Sequence, residues 1–168
     1  MGFRLTYNKL SDSDKRLVDG AIHDVRCSYR PAKVHFDEPR GDQTSAWNSC
    51  LPEALITPEV NEYLGAEMYL MTGDGFLYFL PILLSFVLFE SNGNFEFDFV
   101  DIYRRKILEE GLACSYSLNT KLLANRWIEI CSPWLWNELE IEEVEPRFSA
   151  KFTEVFDHIV LNSPSQRK

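Results

Sequence analysis

From Gly41 to Tyr103 the chain runs 63 residues without a Lys, Arg or His. Its four cysteines, Cys27, Cys50, Cys114 and Cys131, contain no C-x-x-C pair, and its three histidines, His23, His35 and His158, are scattered. These spacings exclude a sequence-local zinc finger and a dense disulfide framework, and they point to reduced thiols. No G-x-x-x-x-G-K-[ST] loop and no G-x-G-x-x-G turn is present, so neither phosphate cradle is written in the chain. G-x-S-x-G and H-E-x-x-H are missing too, leaving no hydrolase or metalloprotease signature. No catalytic, cofactor or metal residue is therefore assigned. With 17 basic against 26 acidic residues and no basic stripe, the chain lacks what phosphate backbones require, and nucleic acid is not an expected partner.

Long hydrophobic runs are also scarce. The strongest, GFLYFLPILLSFVLFE at residues 75–90, is apolar from Phe76 to Phe89 except at Pro81 and Ser85. Fourteen residues fall short of the roughly 20 needed to span a hydrocarbon core. The run lies mid-chain, and MGFRLTYNKL at the start has no leader layout, so a membrane or secretory role is not expected and a cytoplasmic location is. What remains is a helix apolar on nearly every side, wrapped by others.

A chain of 168 residues, 45% hydrophobic and 14% aromatic, is large and apolar enough to fill a core as one domain over 1–168. Ser11 opens a capping-box-like start, followed by Leu17, Val18, Ala21, Ile22, Val25 and Tyr29 at helical spacing, with Pro31 beyond. His23 falls on the polar side of that wheel. Residues 31–46 read as a surface loop. Thr57 before Pro58 starts a short helix to about Leu64. Thr72 caps the apolar helix, which Pro81 should kink or split, and TGDGF at 72–76 reads as a helix-initiating turn. Phe95, Phe97 and Phe99 alternate like a strand, whereas Val100, Tyr103 and Ile107 recur like a helix, so the spacing predicts a helix from about Phe99 to Glu110. The alternating start is compatible with a small ribbon paired to FRLTY at 3–7. Asn119 or Thr120 caps a helix bearing Leu123, Trp127, Ile130 and Cys131, and Ser132-Pro133 restarts another. Phe148, Phe152, Val155, Phe156 and Ile159 form one stripe opposite Lys151, Glu154 and His158. The expected fold is mainly α: about six helices around a central apolar helix at 72–90, possessing at most a small two-stranded ribbon.

Charge carries the functional reading. The cation-free stretch holds ten carboxylates, among them Asp42, Glu53, Glu59, Glu62, Glu67 and Asp74. ELEIEEVE adds Glu138, Glu140, Glu142, Glu143 and Glu145. A large field of one sign weakens the compact state but attracts cationic partners. Trp47, Trp134 and Trp136 lie near these carboxylates in sequence and are of the residue type that anchors interfaces inside a polar rim. These fourteen residues are the candidate partner-binding set, and the candidate partner is a basic protein. The competing class is an enzyme whose site is assembled from separated carboxylates and histidines.

AWNSCLPEALI followed by YLMTGDGFLYFLPILLSFVLFES resembles an uncharacterised bacterial domain family with a Trp loop and a segment of the form LxFLTPExFxYYLPAxL. The matching residues are Trp47, Leu70, Thr72, Phe76, Tyr78, Phe79, Leu80, Pro81 and Leu84. SYRP and SLNTKLLANRWIEI sit where that family has an amphipathic helix. TGDGF departs from its Thr-Pro-Glu start, and the chain from Pro133 onward has no counterpart. The resemblance implies no reaction. In size, acidity and lack of catalytic motifs the chain is similar to immunity proteins that cover the active sites of basic toxins, which makes an immunity or antitoxin role the leading expectation.

Overall fold

The computed structural model describes residues 7–34, 67–88, 95–135 and 148–165. Within them the chain is mainly α-helical. The expected helix at 58–64, most of the 31–46 loop and FRLTY up to Thr6 lie outside the described residues.

Helix α1, Asp12–Cys27, begins where the sequence places it. The Ser11 hydroxyl accepts the Asp14 N–H at 3.1 Å, and Asp12 and Asp14 meet the positive end of the helix. Val18, Ala21 and Val25 bury one face. Helix α2, Gly73–Ser85, starts at Thr72, whose side-chain oxygen accepts the Gly75 N–H at 2.9 Å. The same hydroxyl is within reach of the Lys33 and Val34 carbonyls, and the Thr72 N–H donates to Val34 at 2.7 Å. TGDGF is thus a helix start that doubles as a seam to the chain after α1. Its second glycine is required there: a Cβ on Gly75 would stand 2.3 Å from the Val34 carbonyl oxygen.

Of the two outcomes expected of Pro81, a kink or a split, the split does not occur. The backbone stays helical to Ser85 and tightens to a 3-10 turn over Phe86–Leu88. A proline inside a helix costs roughly 3 kcal/mol or more, whereas each large apolar side chain buried returns about 1.5–3 kcal/mol. Phe76, Phe79, Leu80, Ile82, Leu83 and Leu84 are all fully buried, and together they outweigh the missing N–H.

Helix α3, Phe95–Tyr103, absorbs the alternating phenylalanines, so the ribbon reading fails for them. Phe95 and Phe99 face the core, and Phe97 packs on Phe148 with centroids 4.2 Å apart. The helix widens to a π-helical turn over Arg104–Glu109 and stops at Gly111, whose φ of 64° suits glycine. Helix α4, Leu118–Leu135, is capped by Ser117, which accepts the Thr120 N–H at 3.1 Å, rather than by Asn119 or Thr120. It runs through Ser132-Pro133 as one helix, where a restart was expected. Helix α5, Phe148–Leu161, carries its aromatic stripe as expected.

Helix α2 packs on α1 and α4, α1 also touches α4, and α5 lies against α3 and α4. Phe99 sits at the junction, with ring centroids 5.7 Å from Phe76, 5.1 Å from Trp127 and 6.3 Å from Phe156. The described elements share one hydrophobic cluster. None of their helices is long and apolar enough to cross a membrane.

Candidate partner-binding surface

Of the fourteen candidate residues, the structure describes few. Asp42, Trp47, Glu53, Glu59, Glu62, Trp136, Glu138, Glu140, Glu142, Glu143 and Glu145 lie outside the described residues. Trp134 stands in the last turn of α4. Asp74, in the first turn of α2, is exposed. Glu67 corrects the expectation of a solvated carboxylate: it is only 7% exposed.

The cation-free stretch does build an accessible surface, around a residue that charge counting passes over. Tyr69, on the helical turn at 67–70, is 41% exposed. Its main chain is held from α3's extension: Lys106 Nζ donates to the Tyr69 carbonyl at 3.1 Å and to the Met71 carbonyl at 2.5 Å. Burial draws the Lys106 ammonium down from its ordinary value, with Glu110 opposing. That lysine serves as a main-chain tie.

Asp98 and Asp101, three apart on α3 and therefore on one side of it, lie near enough for their charges to act on Tyr69. Burial, then the charges of Asp98 and Asp101, push the Tyr69 phenol up, while Arg105 opposes them. The Asp98 carboxyl is itself held above its usual range, by burial first and by Asp101 second. An exposed phenol within the field of two carboxylates combines a hydrogen-bond donor, an apolar ring and a negative potential. Beside it a groove of about 370 Å³ is lined by Thr72, Gly73, Asp74, Arg105, Lys106, Glu110 and Leu112. Asp74 of α2 and Glu110, just past the α3 extension, border that groove together with Arg105.

A second polar group lies inside. His158 was expected on the solvated side of α5; instead it is half-buried, with Nδ1 2.7 Å from the Tyr103 hydroxyl. That hydroxyl is also 2.8 Å from the Tyr116 hydroxyl. Burial pushes both phenols far up; the hydrogen bond from Tyr116 opposes this at Tyr103, and the proximity of Tyr103 adds to it at Tyr116. Phenols shifted in this direction stay neutral, so they are poor acids and offer no phenolate as a base. The grooves at Thr72 and at Ser13 are lined by other residues. The trio is a satisfied core network that ties α3 to α5.

The cysteines behave differently from one another. Cys27 is exposed, Cys114 intermediate and Cys131 buried, and burial followed by Glu96 pushes the Cys131 thiol up to about 12. Among the described residues no three or more His, Cys, Asp or Glu side chains gather into a metal cage. No family model, no curated protein and no solved structure matches the chain.

Proposed function

We propose that this protein is a non-enzymatic binding factor that captures a basic protein partner, in the manner of an immunity protein or antitoxin covering a cationic toxin in the cytoplasm. The observation that carries the reading is Tyr69, presented to solvent within the field of Asp98 and Asp101 and fastened through its main chain by Lys106. Aromatic side chains of this kind anchor interfaces, and a negative rim steers cationic partners onto them. The net charge of −9 works in the same direction over longer range.

The test is co-expression with the product of the adjacent reading frame, comparing wild type with the Tyr69→Ala, Asp98→Asn, Asp101→Asn triple variant. Wild type should form a complex with that product and suppress its toxicity, and the triple variant should do neither while remaining folded. An adjacent product that is not basic, or equal protection by both proteins, overturns the reading.

A further inference from the structure

We infer that the π-helical turn Arg104–Glu109 is a conformational latch: the segment has a second, α-helical register, and the tie from Lys106 to the Tyr69 turn holds it in the π register. Such turns are rare and collect at functional sites. The sequence offers no local cause for this one. RRKILEE holds neither proline nor glycine before Gly111, and Arg, Lys, Leu and Glu are among the better α-helix formers. Helix α3 also runs into the turn from Tyr103 without a break. The wider register is therefore imposed by tertiary contacts on a segment whose own preference is α.

Both ends of the turn are fixed. Upstream, Tyr103 is buried and its hydroxyl stands 2.8 Å from that of Tyr116 and 2.7 Å from His158 Nδ1. Downstream, Gly111 at φ 64° lets its own N–H reach the Leu108 carbonyl at 3.3 Å and the Leu112 N–H reach the Ile107 carbonyl at 3.1 Å, a paired cap that closes the helix. Between these ends Arg104 bonds Glu154 at 3.0 Å, but both side chains are partly exposed, and such pairs contribute little. Lys106 instead makes two charge-assisted bonds to main-chain carbonyls, Tyr69 at 3.1 Å and Met71 at 2.5 Å. An α-helix turns about 100° per residue. Withdrawing one residue from the turn swings side chains between the fixed ends by up to about that angle, which takes Lys106 off both carbonyls. The seam at Thr72 stays, held by its N–H to Val34 at 2.7 Å, while the main chain at Tyr69 and Met71 is released. The latch is a property of the chain alone; on the reading of Tyr69 as an interface anchor, it decides whether that anchor is held for a partner.

The experiment is backbone NMR on isotope-labelled full-length protein without a partner, so that it succeeds or fails apart from the binding test. Couplings across hydrogen bonds read which carbonyl each amide of the turn uses, and hydrogen exchange reads the main chain at Tyr69 and Met71. Wild type should show amides of the turn bonded five residues back. Lys106→Met, which keeps an apolar stem, should move them to four residues back and speed exchange at Tyr69 and Met71 by about tenfold or more. Exchange along α5 should stay at the wild-type rate. Glu109→Gln, exposed on the same turn, should behave as wild type. Bonds still five residues back in Lys106→Met, or equal loosening by Glu109→Gln, overturn the proposal. Loss of the folded state in Lys106→Met also overturns it, because a latch must open without dissolving the core.

Discussion

The indole N–H of Trp127 donates to the main-chain carbonyl of Leu84, where α2 ends. The last four carbonyls of a helix have no partner inside it. Here the Ser85 hydroxyl takes Ile82, the Phe86 N–H takes Leu83 and Trp127 takes Leu84. Helix α4 thereby closes the end of the most apolar helix in the chain, inside the core, where water cannot.

Trp127→Phe keeps an aromatic ring but removes that donor and some volume. Leaving a buried carbonyl without its partner costs about 1–3 kcal/mol, and the cavity adds to it. Urea denaturation should show a loss of at least about 2 kcal/mol by these terms. An unchanged midpoint at constant slope would show that the Leu84 carbonyl is satisfied by something else.

The two glycines at the start of α2 should answer alanine differently. At Gly75 the new Cβ would meet backbone, the Val34 carbonyl at 2.3 Å, so the seam to the chain after α1 must open. At Gly73 it would meet the Cδ1 end of Leu112 at 2.6 Å, which can turn away. Overpacking costs about 1–3 kcal/mol, against a helix-propensity gain of up to about 1 kcal/mol. Gly75→Ala should lower the thermal midpoint clearly and Gly73→Ala only slightly; the reverse order would contradict the seam.

What was legible in the sequence was local. Ser11 and Thr72 announce helix starts because their caps are made three residues away, and the stripe from Phe148 to Ile159 is periodic enough to need no other context. Ser132-Pro133 misled, and at Pro81 the split did not follow, because the cost of a missing N–H is read locally whereas the burial around Pro81 that outweighs it is not. His158 misled for the same reason: its partner Tyr103 is 55 residues distant. The cation-free stretch contains Tyr69, Asp98 and Asp101, but only folding brings the turn at 67–70 near α3, and it also takes Glu67 out of solvent.

Asp98 makes the surface costly to the fold, and the sign of that cost is testable. Its carboxyl is raised above the ordinary 3.8 by burial and Asp101, so the folded state holds a proton more tightly than the unfolded one. Stability must then fall as pH rises from the unfolded value through the raised one. Asp98→Asn should remove this part of the decline and leave the protein as stable or more stable at neutral pH. A steeper loss of stability with rising pH in the variant would refute the direction. A gain in stability accompanied by weaker partner binding is the pattern of a residue kept for function.

The last prediction separates steering from anchoring at that surface. Exposed charges act over about one Debye length, roughly 8 Å at physiological ionic strength, and so they act mainly on encounter. An aromatic ring seated in a pocket acts after encounter, on how long the complex lasts. Asp98→Asn with Asp101→Asn should therefore slow association with a basic partner at low salt, and the difference from wild type should shrink as salt is added. Tyr69→Ala should leave association nearly unchanged and speed dissociation, by about tenfold or more if the ring is a hot spot worth over about 1.4 kcal/mol. Rates measured by surface plasmon resonance across a salt series, with the adjacent gene product immobilised, distinguish the two. If the double aspartate variant associates at the wild-type rate at every salt concentration, the carboxylates beside Tyr69 do not steer, and the acidic stretch acts on solubility alone.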